Sequence, residues 1–276
     1  MSGQYPLLWL CEALLVSRSG YYDWLRRRHS PGPRAQANTA LRERIRVEFD
    51  RQRKAYGSPR LAEALGMAGS RHRIARLMRQ ARLAARQRSK YRQATTDSRH
   101  AEPIAPNRLP DVQVTRPNQV WVIDATCVLT GQGWLYVTAL LDVCSRRIVG
   151  WSMHETWDAC FAVRALEMAL AQRRPPAGLI VHSDRGVQFA SAAFRAKLQA
   201  HGLVASMSRK GNCYDNAFIE SFWSSLKYET VYHRRFASRA EARTAIFDYI
   251  EAFYNRTRLH SSLGYVSPTS FESKLN

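Results

Sequence analysis

The stretch Gln119–Val143, QVWVIDATCVLTGQGWLYVTALLDV, decides the fold. Two runs rich in β-branched, Leu and aromatic residues flank Gly131 and Gly133, as two strands joined by a tight turn do. A third run, SRRIVGWSMHE (Ser145–Glu155), follows closely, so an antiparallel meander is expected. Helix and strand then alternate: a helix over residues 157–172, a buried strand in GLIVHSD, a helix over 190–201, and a last strand in GLVASM. The sum is an α/β fold, a mixed five-stranded sheet flanked by helices.

Asp124 is out of place in this pattern. It closes the apolar run VWVID, and an acid on a central strand is costly to bury unless it is bonded or binds a cation. Asp184 directly follows LIVHS and opens the loop DRGVQ, and sites gather at strand ends in such sheets. Two acids at neighbouring strand ends repel each other. A divalent cation relieves that repulsion, and oxygen-rich sites select Mg²⁺ or Mn²⁺. Asp142, in LLDVCSR, reads instead as a structural acid at a strand end. His182 shares the face of Asp184, either supporting it or serving as a core histidine.

A third acid is sought in RKGNCYDNAFIESFWSSLKYE, Arg209–Glu229. Ile219, Phe222, Trp223 and Leu226 mark the packed side of a helix. Glu220 flanks that stripe, and Lys227 follows two turns along the same face. Glu229, nine residues on, points to the opposite side, and Asp215 is explained by capping and the helix dipole. Spacing alone leaves Glu220 either projecting over the sheet edge or exposed as decoration. Glu229→Gln is expected to leave the protein's function unchanged.

The rest of the chain is strongly basic. Forty-two Lys and Arg face 22 Asp and Glu, a net charge of +20, and only six of the basic residues are Lys. Residues 1–110 hold 23 against 8, and residues 111–276 hold 19 against 14. Such a surface repels itself unless a polyanion neutralises it, which points to nucleic acid. No long apolar span points to a membrane. Five cysteines without a CxxC pair argue against a disulfide framework or a structural zinc, and for a reducing cytosol. The run PLLWLCEALLV is broken by Glu12 and lacks a basic leader, so it reads as a short buried helix rather than a signal peptide.

Residues 7–15 and 18–28 read as two helices, with Ser17 capping the second; a helix-turn-helix and simple packing stand equally open. Leu41, Ile45 and Phe49 mark a further helix. Ser58 is expected to cap the next, with Pro59 at its first position and Gly66 and Gly69 ending it. Ser70 is expected to cap RHRIARLMRQARL. There Ile74, Leu77, Met78 and Ala81 form a stripe ringed by Arg71, Arg73, Arg76, Arg79 and Arg82, the make-up of a major-groove reader. Four prolines over residues 94–118 mark a linker or surface strap. The chain thus divides into an N-terminal helical segment (1–30), a helical DNA-binding domain (31–93), the linker (94–118), a catalytic core (119–232) and a C-terminal helical extension (233–276).

WVIDAT, HSDRGVQF and SRKGNCYDNAFIESFWSSLKYE, in that order, closely resemble the DDE transposases of the IS3 insertion-sequence family, the product of their second reading frame. Thirty-five residues lie between Asp184 and Glu220, the interval typical of that family's acid triad, and Lys227 matches its basic residue seven positions after the Glu. VSRSGYYDW, LDVCSRRIVGW and YNRTRLHSSLGYVSP extend the likeness over nearly the full length. Cys127–Val128 departs from a commoner Tyr–Ile pair. The resemblance implies an RNase H-like core in which Asp124, Asp184 and Glu220 are catalytic and hold two Mg²⁺ (or Mn²⁺) ions. It implies cleavage at the element's 3′ ends by water, then strand transfer by the freed 3′-OH, usually through a circular intermediate. Double-stranded DNA, both transposon ends and target, is the expected partner. Lys227, Arg209 and Lys210 near the site, and Arg71, Arg73, Arg76 and Arg79, are the expected DNA contacts. The family further implies a dimer or higher homo-oligomer, an upstream-frame partner or frameshift fusion, and a cytoplasmic, nucleoid-associated location. A transposase-derived repressor and an RNase H-type nuclease are the competing readings.

Overall fold

The computed structural model describes residues 5–86, 102–158, 160–209 and 216–275. The chain forms two compact units, Met1–Ala85 and Arg86–Asn276.

The first unit is helical: α1 (Leu7–Ala13), α2 (Arg18–His29), α3 (Pro33–Arg51), α4 (Ser58–Ala64) and α5 (Arg71–Gln80). Ser17 caps α2 as expected, its Oγ accepting the Gly20 N–H at 3.1 Å. Ile45 of α3, Leu61 of α4, and Ile74 and Leu77 of α5 are buried together with Tyr56. Two expected caps are absent. Gly57 takes the capping position of α4, which moves Ser58 inside the helix. Ser70 ends a 3-10 turn, Ala68–Ser70, that runs straight into α5. Its backbone is not extended, so its hydroxyl cannot reach back to the first free N–H groups. Arg71, Arg76 and Arg79 stand exposed on α5. Arg73 is half-buried, its Nε donating to Asn38 Oδ1 of α3 at 2.9 Å.

The second unit is built on a sheet of β1 (Val120–Thr130), β2 (Gly133–Asp142), β3 (Ile148–His154), β4 (Ile180–Ser183) and β5 (Val204–Met207), in the order β3-β2-β1-β4-β5. The meander β1–β2–β3 is antiparallel, while β4 and β5 add parallel to β1 and to each other. This is the RNase H-like arrangement. Both faces of β1 are covered, which explains its unbroken apolar opening. Trp121, Ile123 and Ala125 point to one face and join Leu140, Val149 and the helices α6 (Cys160–Arg173) and α8 (Ala192–Ala200) in the main core. A short helix, α7 (Val187–Ala190), follows β4 and adds Phe189 to that core.

Gly150 of β3 sets how closely α6 lies. A Cβ there would come within 2.3 Å of the Ala165 carbonyl oxygen and 2.7 Å of Ala169 Cβ. Helix backbone therefore rests almost directly on strand backbone. Gly150→Ala is expected to cost about 1–3 kcal/mol by overpacking, measured as a lower urea midpoint with an unchanged slope.

Val122, Asp124 and Thr126 point to the other face of β1. There α9 (Ala217–Leu226) crosses, continuing into a π turn over Lys227–Val231. Helix α10 (Arg239–Asp248), capped by Ser238, also runs on as a π turn, Tyr249–Tyr254. Beyond it Asn255 closes the free edge of β3: its Oδ1 accepts the Ile148 N–H at 2.9 Å and its Nδ2 donates to the Ile148 carbonyl at 3.0 Å. An edge strand capped in this way offers no template for another chain at that point. The last helix, α11 (Pro268–Glu272), brings Glu272 against Arg147 at 2.7 Å and Arg173 at 2.8 Å. Among the described residues no helix is long and apolar enough to cross a membrane.

Candidate active site

The register of β1 on β4 determines where the first two acids stand. Ile123 pairs with Ser183 in the parallel ladder, so the next residues, Asp124 and Asp184, are neighbours where β4 ends. Asp184 is half-buried, and its Oδ1 accepts the Gly186 N–H at 2.9 Å, which shapes the turn into α7. Asp124 Oδ2 accepts the Trp223 indole N–H at 3.1 Å. Burial, and then the charge of Asp184, push the Asp124 carboxyl up to about 8 from the ordinary 3.8. The charge of Glu220 adds to this, against the Ala125 and Trp223 N–H groups, which favour the ionised form.

Glu220 is exposed on the first turn of α9, one turn before Trp223. Lys227 follows where the helix loosens into its π turn, and burial depresses its ammonium pKa against the opposing charges of Cys127 and Asp124. The field of Lys227 in turn opposes the upward push that burial gives the Cys127 thiol. Glu220, Trp223 and Lys227 thus line one side of a helix that lies against β1. Among the described residues, no three His, Cys, Asp or Glu stand close enough to hold one ion together. The Asp124–Asp184 pair nevertheless has the chemistry of half a cation site: hard oxygens, partly dehydrated, in mutual repulsion.

Arg209 is exposed just past β5, while Lys210 and Asp215 lie outside the described residues. Arg185, beside Asp184, donates from Nε to the Ser208 carbonyl at 2.9 Å and so fixes the exit of β5. His182 is fully buried, with Nδ1 2.9 Å from Ser206 Oγ, which also accepts the Arg108 N–H at 2.9 Å. The imidazole therefore ties β4 to β5 and to the chain segment crossing them. Asp142, at the end of β2, is fully buried opposite Trp121 and accepts N–H groups from Asn118, Trp121, Cys144 and Ser145. It is a structural acid.

Two side chains carry more than their spacing indicated. Trp223 belongs to the packed stripe, yet its N–H reaches Asp124; a buried indole needs an acceptor, and that requirement was the available signal. Glu229 does face away from Glu220, but into protein rather than water. It is 7 % exposed, grips Arg258 through both oxygens, and accepts the Tyr249 hydroxyl at 2.7 Å. Glu229→Gln, expected above to leave function unchanged, carries a cost in stability, since that change leaves a buried guanidinium without its counter-charge.

The raised Asp124 pKa gives a testable sign. Between about pH 4 and 8 the folded protein keeps a proton that the unfolded chain has released, so stability falls as pH rises through that window. Asp124→Asn is expected to remove this dependence and to raise the melting temperature of metal-free protein at pH 8. Each kcal/mol relieved corresponds to about 2–4 °C. Adding Mg²⁺ should narrow the gap by stabilising the wild type alone. Equal melting of the two proteins across pH 5–8 would exclude the repulsion.

Comparison with known proteins matches residues 114–213 and 201–268 to two integrase core domain families, and residues 36–91 to an HTH-like domain. The chain is 48% identical over 269 residues to the 31 kDa protein of insertion element IS600 from Shigella sonnei, covering 96% of this chain and 98% of that one. It is 39% identical over 275 residues to transposase InsF of insertion sequence IS3A from Escherichia coli, covering 98% and 95%. A chain of the simian T-cell lymphotropic virus intasome aligns with a TM-score of 0.49 at 15% identity, over 76% of this chain and 69% of that one.

Proposed function

From the premise that this chain belongs to the IS3 family of insertion-sequence transposases, we propose that it cuts and joins DNA strands at a site made of Asp124, Asp184 and Glu220. One observation carries this reading beyond the family: the parallel register of β1 on β4, Ile123 against Ser183, sets Asp124 beside Asp184 where β4 ends, and burial next to that charge pushes the Asp124 carboxyl up to about 8. Strain of that kind concentrates at functional sites. Mg²⁺ or Mn²⁺, when bound by these carboxylates, supplies Lewis-acid activation of the attacking oxygen and the phosphodiester.

The chain's own residues prepare that site. Trp223 holds Asp124 through Oδ2 and so indexes the helix bearing Glu220 to the strand bearing Asp124. The turn at Gly186 fixes the Asp184 carboxylate. Lys227 contributes a cation for a phosphate at the same place, and Arg209 and Lys210, which precede α9 in the sequence, add positive charge for the DNA. Arg71, Arg76 and Arg79 face DNA from the helical unit, while Arg73 chiefly braces α5.

In the first reaction water attacks phosphorus at an element end; a P–O bond forms, the 3′ oxygen leaves, and it takes up a proton as a 3′-OH. In the second, that 3′ oxygen attacks another phosphodiester and displaces its 3′ oxygen. One phosphodiester replaces another, so no ATP is consumed. Two ends must meet, which calls for a dimer or larger assembly, with or without an upstream-frame segment, acting on DNA in the bacterial cytoplasm. The test incubates the protein, labelled element ends and Mg²⁺, and separates strands by size. Joined strands are expected. Nicking without joining would mean a nuclease, and binding alone would mean a repressor.

A further inference from the structure

The turn between β2 and β3 carries two adjacent arginines with opposite fates. Arg147 is neutralised by Glu272. Arg146 is half-buried, yet among the described residues no carboxylate stands within ion-pair distance of it. Its Nε is sealed from solvent and has no acceptor. Asp142 is close enough for its field to reach Arg146, but its oxygens are taken by the four N–H groups described above. The guanidinium carbon lies 4.0 Å from the centre of the Phe218 ring, near enough for a cation–π contact.

The backbone is arranged to put it there. Arg146 has φ 62°, in the left-handed region that favours glycine, and its N–H is held by the Asp142 carbonyl at 2.8 Å. Phe218 is the second residue of α9, two before Glu220. A partly dehydrated cation is normally paired, and an unpaired one that the fold holds in place needs an explanation. A ligand that brings negative charge and oxygen acceptors in a plane would match a guanidinium fork.

We propose that Arg146, seated on Phe218, receives a backbone phosphate of the DNA strand that passes the start of α9. This rests on the reading of the chain as a DNA strand transferase but concerns binding, not chemistry. The competing explanation is that Arg146 merely packs on Phe218.

Arg146→Met separates the two, because it keeps an unbranched apolar stem over the ring and removes the charge. The full chain is titrated in EDTA with a fluorescein-labelled mixed-sequence duplex at several salt concentrations. Arg146→Met is expected to bind about tenfold more weakly, with a log–log salt slope shallower by about 0.9, and to melt no lower than wild type. Should it fold poorly, Arg146→Lys decides: the slope stays and affinity falls several-fold, because the fork is lost but the charge is kept. Wild-type affinity and slope in the Met variant, or wild-type affinity in the Lys variant, overturns the assignment. A wild-type protein that binds DNA without ever joining strands would sink the proposed reaction and leave this contact untouched.

Discussion

Glu220→Gln is expected to lower strand joining by about three orders of magnitude while leaving DNA affinity and melting behaviour near those of the wild type. The substitution preserves shape and removes one anionic oxygen donor. If that donor helps hold the cation, its loss forfeits several kcal/mol of transition-state stabilisation. About 4 kcal/mol corresponds to three decades of rate. Stability should hardly move, because Glu220 is exposed and its charge raises the cost of ionising Asp124. Relief of that repulsion and loss of an acid from the first turn of α9 act in opposite directions and are each small. Joining is followed with labelled element ends, binding by mobility shift, and stability by thermal melting. Joining within tenfold of wild type would return Glu220 to the status of surface decoration and remove the third acid.

Arg258→Ala is expected to produce the largest loss of stability, about 3–5 kcal/mol. Arg258 is enclosed, with Nε 2.9 Å from Glu229 Oε2, Nη2 2.8 Å from Oε1, and Nη2 3.1 Å from Ser225 Oγ. The pairing drives the guanidinium pKa further up despite burial, and burial beside Glu229 pushes the Tyr249 hydroxyl well up. Removing the arginine strands a carboxylate among buried side chains. Against a typical total of 5–15 kcal/mol that is a large fraction, and the melting temperature should fall by roughly 10 °C. Replacing Arg258 and Glu229 together by Met and Leu should recover much of the loss, because an apolar pair carries no desolvation penalty. A single substitution costing under about 1 kcal/mol would mean that water reaches the pair.

Elements whose signal lies in neighbouring residues were legible in the sequence. The runs around Gly131 and Gly133 are β1 and β2, and the spacing of Ile219, Phe222, Trp223 and Leu226 gives the buried side of α9. The adjacency of Asp124 and Asp184 followed from strand order, because sites gather at strand ends. What escaped depends on residues far apart in the chain. Arg258 stands 29 positions after Glu229, and nothing local shows that they meet. The bond from Trp223 to Asp124 spans 99 positions. The misjudged caps of α4 and α5 have a local cause: a glycine takes the capping position of α4 and shifts its start by one residue, while a 3-10 turn leaves Ser70 at the start of α5 in a backbone conformation from which its hydroxyl makes no cap.

Glu272 serves two cations at once, Arg147 from the turn before β3 and Arg173 from the end of α6, and it is itself mostly enclosed. Helix α11 therefore behaves as a keystone: its removal would leave both guanidinium groups without their counter-charge. Shortened relatives that lack an acid at this point should therefore also have lost one of the arginines.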